Sequence, residues 1–346
     1  MGVTAHSHLE CITSVSLSSL WTTAPVAIRP HHACNLCGAR HAYVVCTRDR
    51  DRRPLRTVVC RECGLVWTDP RPSDEAIAAY YSHEYRQNYK GAHQPKRRHL
   101  YRAAAVAHHR FNRLHPLLAH RHRILDVGAS SGEFVHVLRA SGKDAIGIEP
   151  HEGYSRWARE TLRLPVITAD WTQARFAPGS FEAITLFHVA EHLVDPRGAL
   201  AQLVRWLAPG GMIAIEVPNV EADCGSPRRR FHFAHLHHFN LPTLRALGKA
   251  VGLEVVFDHT SPDRGNILVV FRLGAMRNPI PPHLPTNCAR VQAALAGHTV
   301  LAHYLSVRTW MRPLRKLRRS LREAVAVQRH RSPAALVEAA RATSAD

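Results

Sequence analysis

Three groups of residues have types and spacings that can do chemistry: two cysteine pairs near the amino end, a small-residue turn followed by an acid, and a histidine-rich stretch beyond it. Cys34-x-x-Cys37 and Cys60-x-x-Cys63 offer four thiolates at a spacing that closes a tetrahedral zinc site. Each pair ends in a glycine, Gly38 or Gly64, that eases the backbone around a metal. Four cysteine ligands leave no open coordination position, so such a site is structural rather than catalytic. A disulfide framework is the competing reading, and a reducing compartment disfavours it. Cys11, Cys46, Cys224 and Cys288 lack such pairing, and His31, His32 and His41 are expected to face solvent.

Residues 124–132 read ILDVGASSG, an apolar run ending in Asp126 and then a turn of small residues. Gly128 and Gly132, with Ala129, Ser130 and Ser131 between them, permit the dihedrals and close backbone approach of a tight strand-to-helix turn. A helix opening near Glu133 aims its free N–H groups at whatever fills that turn. Glu149 closes the next apolar run, AIGIEP, where a carboxylate can accept hydrogen bonds from both hydroxyls of a ribose. Strand, turn, helix, strand and acid together are how an α/β sheet holds an adenosine. A dinucleotide fingerprint would need glycines at 130 and 133, where the chain has Ser130 and Glu133. The plain alternative is a structural glycine turn after a parallel strand.

With Ser130 in place of the middle glycine, the run from Asp126 to Gly132 resembles the first motif of class I S-adenosylmethionine-dependent methyltransferases. The resemblance implies S-adenosylmethionine as cofactor, held by Asp126, Gly128, Ser130, Gly132 and Glu149. It also implies that Asp170 meets the adenine amino group and that the neighbouring Trp171 covers the ring. FEAITLF followed by His188-Val-Ala-Glu191-His192-Leu and Asp195-Pro196 is similar to the family's fourth strand, a helix opening on Glu-His-Leu, and an Asp-Pro turn. Phe187 and His188 would border the methyl-donor pocket. The same letters read H-x-x-E-H, a zinc-peptidase pattern, but they abut a buried strand in a nucleotide-binding array. LAPGGMIAIEVPN matches the family's approach to its fifth strand.

The cysteine pairs run into CGLVWTDPRPSDEAIAAYY, which looks like the zinc-ribbon leader of bacterial methyltransferases of cell-surface sugar and secondary-metabolite pathways. In such relatives the leader lies beside the active site, which makes Tyr80, Tyr81, Tyr85 and Tyr89 either substrate or cofactor contacts or packing residues. His232, His235, His237 and His238 occupy a segment like the family's substrate-side insertion. A neutral imidazole there can take a proton as an oxygen, nitrogen or carbon nucleophile attacks the methyl group. His235, then His238, are the expected catalytic residues. Related sugar C-methyltransferases carry a Glu-His pair in a comparable segment; here Ala234 precedes His235, which weakens carbon methylation.

To position these groups, strands near 123–127, 144–149, 165–168, 182–187, 212–217, 254–258 and 267–272 alternate with helices, which predicts a parallel sheet with helices on both faces. The expected architecture is a Rossmann-like α/β sheet of seven strands with a small amino-terminal zinc ribbon and a helical carboxyl-terminal tail. Its divisions are a disordered leader at 1–30, the ribbon at 31–70, a helical connector or lid at 71–120, the methyltransferase domain at 121–274, a linker at 275–287 and a basic helical tail at 288–346.

The 346 residues carry a formal net charge of +19, which suggests an acidic partner. Trp310, Leu314, Leu317, Leu321 and Ala324 recur at helical spacing among Arg315, Lys316, Arg318, Arg319 and Arg322. Such a helix can rest on anionic lipid or RNA phosphate, or pack its stripe on the domain or on a second copy. No apolar run reaches the roughly 20 residues of a membrane span. Residues 11–28 lack the basic flank of a signal peptide, so a cytoplasmic protein is expected. The expected activity is methyl transfer to a small or sugar-linked acceptor; RNA methylation and a catalytically silent binding module are the alternatives.

Overall fold

The computed structural model describes residues 26–73, 76–77, 94–274 and 283–343, except the side chains of residues 308 and 343. The first sheet is antiparallel and contains β1 (Val26–Ile28), β2 (Ala42–Arg48), β3 (Pro54–Cys60) and β4 (Val66–Thr68). β-Branched residues along β2 and β3 favour the extended backbone of their hairpin. β1 corrects the expectation of a disordered leader over all of 1–30. Val26 pairs with Val44 and Ile28 with Ala42, so this short apolar segment adds an edge strand. Residues 1–25, Tyr80, Tyr81, Tyr85 and Tyr89 lie outside the described residues.

Helix α1 (Arg97–Leu118) leads to the main sheet. Along the chain follow β5 (Arg123–Val127), α2 (Glu133–Ala140), β6 (Asp144–Ile148), α3 (Glu152–Thr161), β7 (Val166–Ile167), β8 (Phe181–Phe187), α4 (Pro196–Trp206) and β9 (Leu207–Pro218). After β10 (His237–His238), which joins the first sheet, come α5 (Leu241–Lys249), β11 (Leu253–Thr260) and β12 (Asn266–Leu273). The main sheet has seven strands in the order β11-β12-β9-β8-β5-β6-β7. Its direction of winding reverses between β5 and β8, which opens a crevice at their carboxyl ends. The all-parallel expectation fails at β12, antiparallel to both β11 and β9. Only the short connection 261–265 separates β11 from β12, too few residues for the crossover that parallel pairing requires.

Both faces of this sheet are buried, which explains near-continuous apolar runs such as FEAITLF. Leu125, Ile184, Ile213 and Val269 pack with α4, α5 and the first sheet, whereas Ile124, Ala183, Ala214 and Val270 pack with α1, α2 and α3. The tail helices are α6 (Asn287–Gly297), α7 (Val300–Leu305), α8 (Val307–Trp310), α9 (Arg312–Arg329) and α10 (Pro333–Ala339). α10 buries Leu336 and Val337 in the α1 side of the core.

The cysteine segment is built into this body rather than appended to it. Its Cys34, Leu36, Val58, Leu65 and Trp67 share one apolar cluster with Leu125, Ile184, Phe239 and Leu244. Asn35, between the first two cysteines, donates to Asp195 Oδ1 at 2.8 Å and accepts from Arg197 N at 3.2 Å, at the start of α4. Asn287, at the start of α6, donates to Cys63 O at 2.9 Å. Gly64 lies against it: a Cβ there would come within 2.5 Å of Asn287 Nδ2 and 2.8 Å of its backbone carbon. Gly38, equally left-handed at φ +77°, has nothing within 4 Å of a built Cβ. Gly38→Ala should therefore cost about 1–2 kcal/mol of backbone strain. Gly64→Ala should add about 1–3 kcal/mol of overlap, seen as a lower urea midpoint. Equal midpoints would refute the docking of α6 on the second knuckle.

Candidate active site

The turn after β5 is left-handed at three alternate residues, with φ +76° at Gly128, +51° at Ser130 and +83° at Gly132. A Cβ at Gly128 would come 2.5 Å from Val189 Cγ2, so glycine is required there for space as well as conformation. Gly128 N and Ala129 N both donate to Ile148 O, at 2.8 and 3.0 Å, tying the turn to β6. Glu149, next along from β6, accepts from Ser130 N at 2.8 Å through Oε2 and from His151 N at 2.8 Å through Oε1. The predicted acid thus meets the predicted turn.

Above the turn lies a cavity of ≈ 370 Å³. One wall is Asp126, Gly128, Ser130, Glu133 and Phe187; the other is α1, through His99, Ala103, Val106 and Arg110. The α1 residues recur every three or four positions and so share one helical face. Asp126 is 3% exposed and accepts from Thr185 Oγ1 at 2.6 Å. Burial pushes its carboxyl up to about 7, with Glu133 and Glu149 adding to the rise against the Thr185 hydrogen bond and the Arg110 charge.

Asp170 and Trp171 stand differently. Asp170 Oδ1 accepts from Thr172 N at 2.7 Å and Gln173 N at 3.0 Å, which holds the turn after β7. Trp171 lines a separate crevice with Arg175, Phe176 and Trp206.

At the end of β8, His188 has φ +57°, and residues Ala190–His192 form a single 3-10 turn. The expected helix opening on Glu-His-Leu is thereby corrected: the α-helix starts at Pro196, capped by Asp195, whose side chain accepts from Gly198 N. His188 and His192 do not share a helical face, which removes the peptidase geometry. His188 instead sits between two carboxylates, with Nδ1 3.2 Å from Glu191 Oε1 and Nε2 3.5 Å from Glu216 Oε1. Burial opposes its charge, but hydrogen bonds to Glu191 and Glu216 prevail and raise it to about 9. Burial likewise opposes ionisation of Glu216, which His188 and Arg110 outweigh, lowering it to about 2. Arg110 Nη2 lies 2.6 Å from Glu216 Oε1, and its guanidinium covers the Phe187 ring at 4.3 Å.

The histidines meet this cluster. The His235 ring lies 4.8 Å from that of His192, 5.2 Å from that of His232 and 6.0 Å from that of His238. His235 is held well below its ordinary value by burial and by the neighbouring histidines, so it is neutral. Burial, then the charges of His237, His232, Arg230 and His192, push His238 down to about 3. His192 Nδ1 donates to Ala234 O at 2.8 Å, and its Nε2 lies 3.9 Å from Glu191 Oε1. Ligand atoms of Glu191, His192 and His235 all lie within 4.8 Å of one another. Glu191 is 1% exposed, and its Oε2 has no hydrogen-bond partner among the described residues. Glu191 of the β8 loop thus stands beside His235 although Ala234 precedes it in the chain, a proximity that chain distance concealed. Arg110 and Glu216 were also missed, since one is an arginine on a basic helix and the other an acid within an apolar strand.

The four cysteines converge as well. Cys34 and Cys63 sulfurs are 3.5 Å apart, as are those of Cys37 and Cys60, and all four lie within 4.8 Å. Tetrahedral zinc with bonds of about 2.3 Å sets sulfurs about 3.8 Å apart. Four thiols this close cannot all ionise without a cation among them. The set is compatible with a zinc ribbon.

Residues 96–257 match the family described as a methyltransferase domain. This segment is a methyltransferase domain. The chain is 36% identical over 97 residues to the demethylmenaquinone methyltransferase of Clavibacter sepedonicus, covering 27% of this chain and 40% of that protein. It is 31% identical over 115 residues to the ubiquinone biosynthesis O-methyltransferase of Methylococcus capsulatus, covering 32% and 48%. It thus spans less than half the length of these curated relatives. A solved S-adenosylmethionine-dependent methyltransferase from Archaeoglobus fulgidus superposes with a TM-score of 0.44 at 16% identity, over 56% of this chain and 99% of that one.

Within the methyltransferase domain, the His188 pairs carry a pH signature. Because its value is raised, their contribution is complete below pH 6.5 and is lost as pH rises through about 9. The Glu216 share is present above about 4.5 and is lost as pH falls toward 2. The His188 side chain keeps 37% exposure, so screening holds the effect to about 1 kcal/mol. The difference in melting temperature between wild type and His188→Gln should be present near pH 6 and close by about pH 10. A constant difference would show that the ring acts by packing alone.

Proposed function

We propose that the chain transfers the methyl group of S-adenosylmethionine to an oxygen, nitrogen or carbon nucleophile of a small acceptor. The observation that carries this reading is the cavity in which the left-handed turn 128–132, Asp126 and Phe187 face Arg110, with the Glu191–His192–His235 cluster reached through His188. The residues fit the cofactor. The turn sets the amino-terminal end of α2, where a helix has N–H groups without intrahelical partners, beside the cavity; Glu149 would accept for the ribose, and Asp126 and Glu133 offer negative charge near a cationic ligand. Arg102 and Arg110 offer the complement for a carboxylate. When bound, S-adenosylmethionine supplies an electrophilic methyl group on a sulfonium.

The chain then holds donor and acceptor in line and excludes water. Phe187 and Phe134 provide the apolar floor. His235, neutral and beside Glu191, receives the acceptor's proton, and the carboxylate stabilises the imidazolium that results. His238 is enclosed behind it, 7% exposed, and serves as a second position for the base. Asp170 and Trp171 would have to leave their turn and crevice to cover an adenine, so they rank behind Glu149 as cofactor contacts.

A small acceptor is supported by the enclosure of the histidines, since His232, His237 and His238 are all under 9% exposed. The matched relatives are named for methylation in demethylmenaquinone and ubiquinone biosynthesis, which favours a hydroxylated small molecule over the sugar-linked acceptor implied by the leader. A polymer such as RNA would need the cluster opened.

Calorimetric titration with S-adenosylmethionine should give one site per chain. Glu149→Ala should weaken it about tenfold, or 1.4 kcal/mol. Affinity should also fall between about pH 7.5 and pH 6, because protonated Asp126 no longer balances the cation. Absence of binding by folded protein would end this reading; binding without turnover on any acceptor would leave the silent module.

We also infer that Cys34, Cys37, Cys60 and Cys63 hold one structural zinc ion. The double variant Cys60→Ser/Cys63→Ser should lose one zinc per chain by elemental analysis and unfold at lower denaturant. Unchanged metal content would refute the assignment.

A further inference from the structure

Among the described residues fifteen large apolar side chains are exposed, and ten of them lie between residues 301 and 325. Leu301 (69% exposed), Leu305 (73%), Trp310 (71%), Leu314 (53%), Leu317 (58%) and Leu321 (58%) form most of this surface. On α9 the residues 314, 317 and 321 recur at three and four positions and make one stripe, with Arg315, Arg318 and Arg322 along one flank. The stripe is not packed on the domain, which overturns that expectation.

The opposite face of α9 does the docking. Glu323 is buried and takes Arg102 in a two-pronged pair at 2.7 and 2.8 Å. Arg97 donates to Val327 O and His330 O at the carboxyl end of α9, satisfying carbonyls that a helix end leaves open. The helix is thus held by its inward face with its apolar stripe turned out.

We propose that α7 to α9 form a docking surface for an anionic lipid bilayer, with the leucine stripe and Trp310 entering the interface and the arginines pairing with headgroup phosphates. Three candidate occupants can be compared by charge and apolarity. RNA would satisfy the arginines and leave the leucines in water. A second copy would cover the leucines but set two cationic flanks together, because Glu323 is the one acid in residues 300–329 and it faces inward. A bilayer with anionic headgroups meets both demands at once. Trp310 donates its indole N–H to Tyr304 O at 2.8 Å while its ring stays exposed, so it is presented rather than loose. Tryptophan is characteristic of such interfaces.

The surface is coupled to the site through α1. Arg102 lines the cavity and also pairs with Glu323. The bilayer would therefore lie against a layer that forms the wall of the donor cavity, within reach of a membrane-borne acceptor. The docking itself does not depend on the methyl-transfer reading.

The test is flotation of the full chain with phosphatidylcholine vesicles, with and without phosphatidylglycerol. The wild type should float with the anionic vesicles and not with the neutral ones. Leu314→Ser/Leu317→Ser/Leu321→Ser should reduce that binding at least roughly tenfold. Arg315→Gln/Arg318→Gln/Arg322→Gln should reduce it as well and remove its salt dependence. Far-ultraviolet circular dichroism and thermal melting of each variant, unchanged from wild type, establish that it is folded. Failure of the wild type to float overturns the proposal. So does binding that survives the leucine variant, which means charge alone. Retention on RNA in preference to vesicles, or a dimer that the leucine variant dissociates without any vesicle binding, assigns the face to those partners instead.

Discussion

The pairing of β10 with β4 is the contact on which the arrangement of the site depends. His237 lies opposite Trp67 and His238 opposite Val66, so the strand that carries the histidines belongs to the cysteine sheet and not to the sheet of its own domain. Thr68 N donates to Leu236 O at 3.0 Å, and Thr68 Oγ1 donates to His235 O at 3.3 Å. Backbone hydrogen bonds of this kind are obligatory once the segment is buried. They fix the position of His235 relative to Glu191, since the loop bearing Glu191 is held from the other side through His192 and Ala234.

The cysteine cluster is correspondingly an anchor at two other places. Through Asn35 it touches the cap of α4, immediately after the His188–His192 segment; through Cys63 O it touches Asn287 at the start of the tail. Asn287 Oδ1 in turn accepts from Asn240, whose amide also reaches Glu221, and Arg290 closes the network on Glu221. Buried polar networks of this type tolerate little adjustment, because a half-satisfied member costs more than an apolar residue in its place. The cysteine sheet, the segment after the His-rich loop and the first tail helix are therefore tied together, although they are far apart in sequence.

Charge at the centre of the site is balanced by pairs rather than by solvent. Arg110 and His188 neutralise Glu216 and Glu191, which permits four ionisable groups beside an apolar floor. Asp126 is not hydrogen-bonded into these pairs; burial lifts its carboxyl to about 7, so it is divided between charged and neutral forms near neutral pH. The carboxyl groups of Asp126 and Glu133 thus line the cavity, whereas the neutral imidazoles of His235 and His238 lie outside its lining.

Much of this was legible in the order of residues. Local chemistry determines the seven strands, the left-handed turn at Gly128 and Gly132, the Asp195-Pro196 turn and the spacing of the cysteine pairs, because each depends on neighbours a few positions away. The antiparallel β12 was readable from the brief turn before it, yet alternation of strands and helices hid it. What only the tertiary structure decided are the contacts between segments whose separation carries no periodic signal: Glu191 beside His235, Arg110 on Glu216, β10 on β4, Asn287 on the second cysteine knuckle. The outward direction of the leucine stripe belongs with these. A helix of this pattern has two faces it can bury, and Arg97 and Arg102, more than two hundred residues earlier, select the one that carries Glu323.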